Sequence, residues 1–145
     1  MSKSDTFESD LLKLIFNATP IANIADNAAS SPLANLYVAL HSGDPGETGS
    51  QSTNEVSYTG YARVAVARTS GGWTISGSAP TQVAPVATIS FPACSGGSAT
   101  ATHASVGVAS SGAGKVLYSG ALTPNISITS GVTPELTTSS TITED

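Results

Sequence analysis

Two histidines, one cysteine, ten carboxylates and five Lys or Arg, with four tyrosines, make up the ionisable chemistry of this chain. His41 and His103 lie far apart, each on a stretch that reads as a strand. Asp44, close to His41, would complete a base–orienter pair or begin a metal site. A metal site needs three or four converging donors, and no third is spaced to join these two. Each histidine therefore reads as a residue of a strand face or of a subunit contact. Serine is so frequent that Ser/His/Asp sets can be drawn at will, which removes their meaning, and no G-x-S-x-G elbow occurs. Carboxylates are confined to the N-terminal segment, the early loop and the last eleven residues, with no pair placed for glycoside hydrolysis. Neither glycine pattern that cradles phosphate is present. Asp44 and Glu47 read as a solvated turn rather than a calcium loop, whose spacing is missing. The reading is a protein that is not an enzyme and has no cofactor and no metal.

Cys94 follows Phe91-Pro92-Ala93 and reads as a small buried hydrophobe. A single cysteine allows no intrachain disulfide. Two matches to the glycosylation pattern, at Asn17 and Asn125, read as chance because no secretory signal precedes them. Arg63 and Arg68 flank one strand and are candidates to pair with carboxylates of this chain or of a partner, a task for which arginine is suited.

The elements that would hold these residues follow from periodicity. In NLYVALH, residues 35–41, Leu36, Val38 and Leu40 alternate with Tyr37, Ala39 and His41, the pattern of a half-buried strand. Gly43-Asp44-Pro45-Gly46 stops it, since proline fixes φ and glycine permits positive φ. Upstream, Phe7, Leu11, Leu14 and Ile15 recur on one helical face, widened by Leu12 and Phe16, and predict a helix over 5–16 with Asp5 as its N-cap and Glu8, three residues on, as the capping-box partner. Such a helix either covers its own sheet or docks on a neighbouring subunit. Thr19-Pro20 opens a second short helix over 21–29. Further strands are predicted over 61–68, 73–76, 86–91, 100–108, 115–121 and 125–129, with a weak one in 136–143, separated by Gly/Ser turns. The predicted core is Leu36, Val38, Leu40, Val64, Val66, Trp73, Ile75, Ile89, Phe91, Val106, Val108, Val116, Tyr118, Leu122, Ile126 and Ile128. Strands without interspersed helices give an all-β fold class, a β-sandwich or jelly-roll-like domain at 34–145, preceded by an N-terminal helical arm at 1–33. Residues 42–59 read as a long link, and links of that length are usually functional or mobile.

Bulk properties set the partner classes. The net charge of −5 with five basic residues argues against nucleic acid and against an anionic membrane surface. No apolar run approaches the ~20 residues needed to span a bilayer. Ser and Thr supply 41 of 145 residues, and only 10% of residues are charged, against about 25% usually. Between residues 69 and 134 the sole charged side chain is Lys115. Ordinary surfaces intersperse charge, so an uncharged tract of this length suggests surface that meets other protein.

LYVALHSGDPGE, then EVSYTGYARVAVAR, then ISFPACSGGSATATHASVGVASSGAGKVLYSGAL resemble a family of small tailed-phage virion proteins. Members have a short helix, a YVAL strand into a DPG turn, a GYAR strand, an FP strand, a T-H-x-G-like strand and a hairpin into L-x-Y-x-GAL. This chain departs from the pattern at Ala104-Ser105-Val106. The resemblance implies a structural protein of the bacteriophage virion, assembled in the host cytoplasm. It implies a capsid cement or decoration protein on the outside of an HK97-like shell, bridging neighbouring capsomers. The alternative is a tail-fibre or baseplate component that contacts the host receptor. The expected partners are the major capsid protein and a second copy of itself, with no nucleic acid and no membrane. Candidate interface residues are Phe7, Leu11, Leu14 and Ile15 on the helix, Asp44 and Glu47 in the loop, and Tyr58, Arg63 and Arg68 around the second strand.

Overall fold

The computed structural model describes residues 4–21, 33–78 and 80–144. One helix, α1 (Asp5–Asn17), precedes nine strands: β1 (Asn35–His41), β2 (Val64–Ala67), β3 (Trp73–Ser76), β4 (Thr81–Pro85), β5 (Ile89–Ser90), β6 (Ala99–Gly107), β7 (Val116–Ile128), β8 (Glu135–Leu136) and β9 (Ile142–Glu144). The fold is all-β with a short N-terminal helix, as the periodicity predicts. The second helix expected over 21–29 lies outside the described residues, apart from Ile21, which is buried. The strands form sheets ordered β2-β1-β6-β7, β3-β4-β9 and β5-β8. They divide between two compact units, one of Met1–Ala34, Ala67–Thr88 and Leu136–Asp145, the other of Asn35–Val66 and Ile89–Glu135.

In the first unit α1 packs on β3 and β4. Leu12 and Phe16 are fully buried one helical turn apart, with Glu8 at 3% on the same line, and the Phe16 ring meets Trp73 edge-on at 4.8 Å. The covered stripe is thus 8, 12 and 16. The expected stripe of Phe7, Leu11, Leu14 and Ile15 is only partly covered, and Phe7 stays exposed. The apolar arc of α1 is wider than the sheet beneath it, and periodicity cannot say which half of a wide arc faces inward. The cap also differs from expectation. Ser4, extended at φ −83° and ψ 148°, precedes the helix; its Oγ accepts the Phe7 N–H and its carbonyl the Glu8 N–H. Asp5 already lies inside the helix, so it cannot serve as the cap.

At its other end α1 stops at Ala18, which holds φ 54° while the Thr19 N–H reaches back to the Lys13 carbonyl. Glycine is the usual residue in this left-handed position, because a Cβ crowds the following carbonyl. Ala18→Gly is therefore expected to raise unfolding free energy by about 1 kcal/mol, read as a higher urea midpoint with unchanged slope. A lower midpoint would contradict the strain.

The second unit centres on β1 and β6, antiparallel with Val38 opposite Val106 and His41 opposite His103. Its core holds Leu36, Val38, Leu40, Val56, Tyr58, Ile89, Phe91, Cys94, Ala101, Val106 and Ile128. Of the predicted core, Val64, Val66, Ile75, Val108, Val116, Tyr118, Leu122 and Ile126 are only half-buried. β1 is not the half-buried strand its alternation suggests. Ala39 and His41, which alternation sends to solvent, are fully buried, because residues 42–59 fold back over that face. The two strands predicted over 115–121 and 125–129 are one strand, β7. Ala101 pairs with Ile126 and His103 with Ala121, so residues 122–125 bulge out opposite Thr102 alone. Pro124 sits in this bulge, where its missing N–H costs no ladder bond. β4 (Thr-Gln-Val-Ala-Pro) is a strand that the periodicity does not predict, with Thr81, Val83 and Pro85 buried, and of the strand predicted over 86–91 only Ile89–Ser90 forms one.

Candidate functional site

The polar side chains of the second unit converge beneath residues 42–63 and 105–114. His41 is fully buried, with Nδ1 2.8 Å from the Thr53 carbonyl and Nε2 2.7 Å from the Ser105 Oγ. A carbonyl only accepts, so Nδ1 carries the proton and Nε2 accepts from the Ser105 hydroxyl. That wiring joins a hydroxyl to a base, as nucleophilic catalysis requires. Here a backbone carbonyl stands where an orienting carboxylate would, and Ser105 is 2% exposed, so no substrate reaches the pair. It is an internal tie between the loop, β1 and β6.

Burial lowers the His41 pKa from 6.5, an effect that Arg63 and His103 reinforce and that the Thr53 carbonyl and Glu55 oppose. A depressed histidine binds fewer protons folded than unfolded. Its stabilising contribution is therefore whole above about pH 6.5 and is lost as pH falls toward the folded value. Between pH 6.5 and 5 stability is therefore expected to fall as pH falls, by no more than about 1.4 kcal/mol per pH unit, one proton's worth, measured by urea unfolding. A flat profile in that window would contradict the buried neutral ring.

Arg63 forms the second tie. Its Nε and one Nη hold both Glu55 carboxylate oxygens at 2.7 and 2.8 Å, and its guanidinium also donates to the Ala109 and Gly112 carbonyls. The hydrogen bonds to Glu55 raise the Arg63 pKa further. Tyr61 Oη donates to Glu55 and accepts the Leu40 N–H, and burial pushes its phenol up. Gln51, fully buried, makes the third tie: it donates to the Tyr37 carbonyl and accepts from the Ala109 N–H. A Cβ on Gly107 or Gly114 would fall on the Gln51 side chain, so both positions need glycine for close approach. Together these bonds fix residues 42–59 and the hairpin loop at 109–114 as parts of one braced cluster.

Each candidate interface residue can now be placed. Phe7, Leu11, Leu14 and Ile15 leave a partly open strip on α1. Asp44 and Glu47 are exposed at the loop tip, where Asp44 Oδ1 accepts the Gly46 N–H in a side-chain-braced turn. Tyr58 is buried, donates to the Pro92 carbonyl and packs edge-on with Tyr61. Arg63 is engaged as above. Arg68 donates to the Leu14 and Ile15 carbonyls, satisfying the negative end of α1. Tyr58, Arg63 and Arg68 thus make their bonds within the chain; Phe7, Leu11, Leu14, Ile15 and Arg68 belong to the first unit, and Asp44, Glu47, Tyr58 and Arg63 to the second. Sequence reasoning missed Gln51 and Ser105, since a lone Gln in a polar loop and one Ser among many carry no pattern.

Among the described residues no three His, Cys, Asp or Glu side chains gather as metal ligands, and no helix is long and apolar enough to cross a membrane. Cys94 is buried, its thiol directed at the Gly96 and Gly97 carbonyls. No curated protein matches the sequence. A protein-family model does, over residues 2–143, nearly the whole chain, and its description is Podophage GP4 fiber I protein gp80. The chain belongs to that family of tailed-phage structural proteins.

Proposed function

We propose that this chain is an accessory subunit of the fibre apparatus of a podophage particle, working by adhesion to other virion proteins and not by catalysis. The family's description as a fibre protein supports the location. The observation that carries the mechanism is where the reactive side chains go. His41, Ser105, Glu55, Arg63 and Tyr61 bond to one another or to the backbone, and the face left to solvent is mostly Ser, Thr, Gly and Ala. Such a surface acts by contact, and binding the assembled particle alone shifts the equilibrium toward that particle by mass action.

A second reading, a cement protein on the capsid surface that bridges capsomers of the major capsid protein, is favoured by the uncharged tract at 69–134 and by the partly open strip on α1. Copy number per particle separates the two. Quantitative gels of purified virions, read against the major capsid protein, give a few copies for a fibre component and hundreds for a shell decoration; a reconstruction then fixes the position. Absence from purified virions, or turnover of any substrate by the purified chain, overturns both.

A further inference from the structure

The described sheet edges differ sharply in length. β2 and β3 have four residues, β9 three, and β5 and β8 two each, whereas β7 has 13 and ends the four-stranded sheet. Proteins keep edges short, or guard them with lysine and other charges, because an open edge is a template for another strand. No charged residue occurs from 116 to 133, in a chain of net charge −5. Ser119, Gly120 and Ala121 are exposed.

Gly120 adds a second, independent observation. Its φ is not among the positive ones, and a Cβ built there would meet nothing within 4 Å. Neither backbone conformation nor crowding within the chain asks for glycine, which weakens a strand interior by about 0.5–1 kcal/mol. With open space beside it, such a glycine leaves room for another backbone to approach the strand closely.

We infer that residues 117–121 of β7 pair antiparallel with the same segment of a second copy, across a two-fold axis through Ser119. A second copy is the occupant that the charges favour. The segment carries no charge, so two copies of a chain of net charge −5 can meet along it without like charges facing one another. The register is self-complementary. Ser119 faces Ser119, Leu117 faces Ala121, and position 118 of each copy faces Gly120 of the other. The bulge at 122–125 stops the pairing from running on, so the contact closes at two copies instead of propagating into a fibril. This inference does not depend on where in the particle the chain sits.

The test uses the full chain in solution. Light scattering on a sizing column at about 100 µM is expected to give twice the 14.4 kDa of the monomer. Two double variants, S119K/A121K and S119E/A121E, place like charges on one face across the axis. Each is expected to raise the dimer dissociation constant about tenfold or more. Mixed in equal amounts, they are expected to recover the dimer, which also shows that both are folded. A monomeric wild-type chain, a variant that dimerises as wild type does, or a mixture that stays monomeric would each overturn the pairing.

Discussion

Arg63→Ala is expected to lower unfolding free energy by about 3–5 kcal/mol, the range for removing one partner of a buried ion pair. Three losses combine. Glu55 keeps its charge with no guanidinium opposite; the Ala109 and Gly112 carbonyls lose their donor; and the hairpin loop at 109–114 loses one of its ties to residues 42–59. The side chain of Arg63 is only 2% exposed, so solvent cannot repair the gap cheaply. Urea unfolding followed by the tyrosine signal measures it. Arg63→Lys keeps the charge but not the forked geometry and should recover less than half of the loss. A cost below about 1 kcal/mol for Arg63→Ala would put the pair in the class of surface bridges and remove the bracing argument.

Phe16→Ala should cost a similar amount, about 3–5 kcal/mol, by a different route. The ring is fully buried and meets Trp73 edge-on, so its removal leaves a cavity between α1 and the β3–β4 strands. Trp73 is the sole tryptophan, which makes its fluorescence a reporter of the first unit alone. The expected result is an earlier fluorescence transition in urea and a red-shifted native emission. Leu11→Ala, on the partly open strip, should cost far less. Equal costs for the two would mean that the stripe of 8, 12 and 16 does not carry the helix.

The contrast between these residues shows what the sequence could reveal. Alternation in NLYVALH and the 3.6-residue period of α1 are local signals, and both elements stand where the pattern puts them. The Pro/Gly turns are local as well. The half of α1 that faces inward is not a local property, because it depends on which sheet lies beneath. Nor is the burial of His41, which requires residues 42–59 to return over β1. Gln51 and Ser105 became legible only once the chain had brought Tyr37, Ala109 and His41 to them. Arg63 stands out in the sequence for its charge, but two of its four hydrogen bonds reach carbonyls 46 and 49 positions away, separations that no spacing rule spans.

β1 is the most enclosed strand of the second unit. It is flanked by β2 and β6 within its sheet, and Leu36, Val38, Ala39, Leu40 and His41 are all buried, so both of its faces are covered. Its amides can exchange with deuterated water only when the loop, the neighbouring strands and the opposite face have all come away, which amounts to unfolding the whole unit. Deuterium uptake at 35–41 would then report global unfolding of that unit, whereas uptake at the tip around Asp44 and Glu47 would report only its breathing.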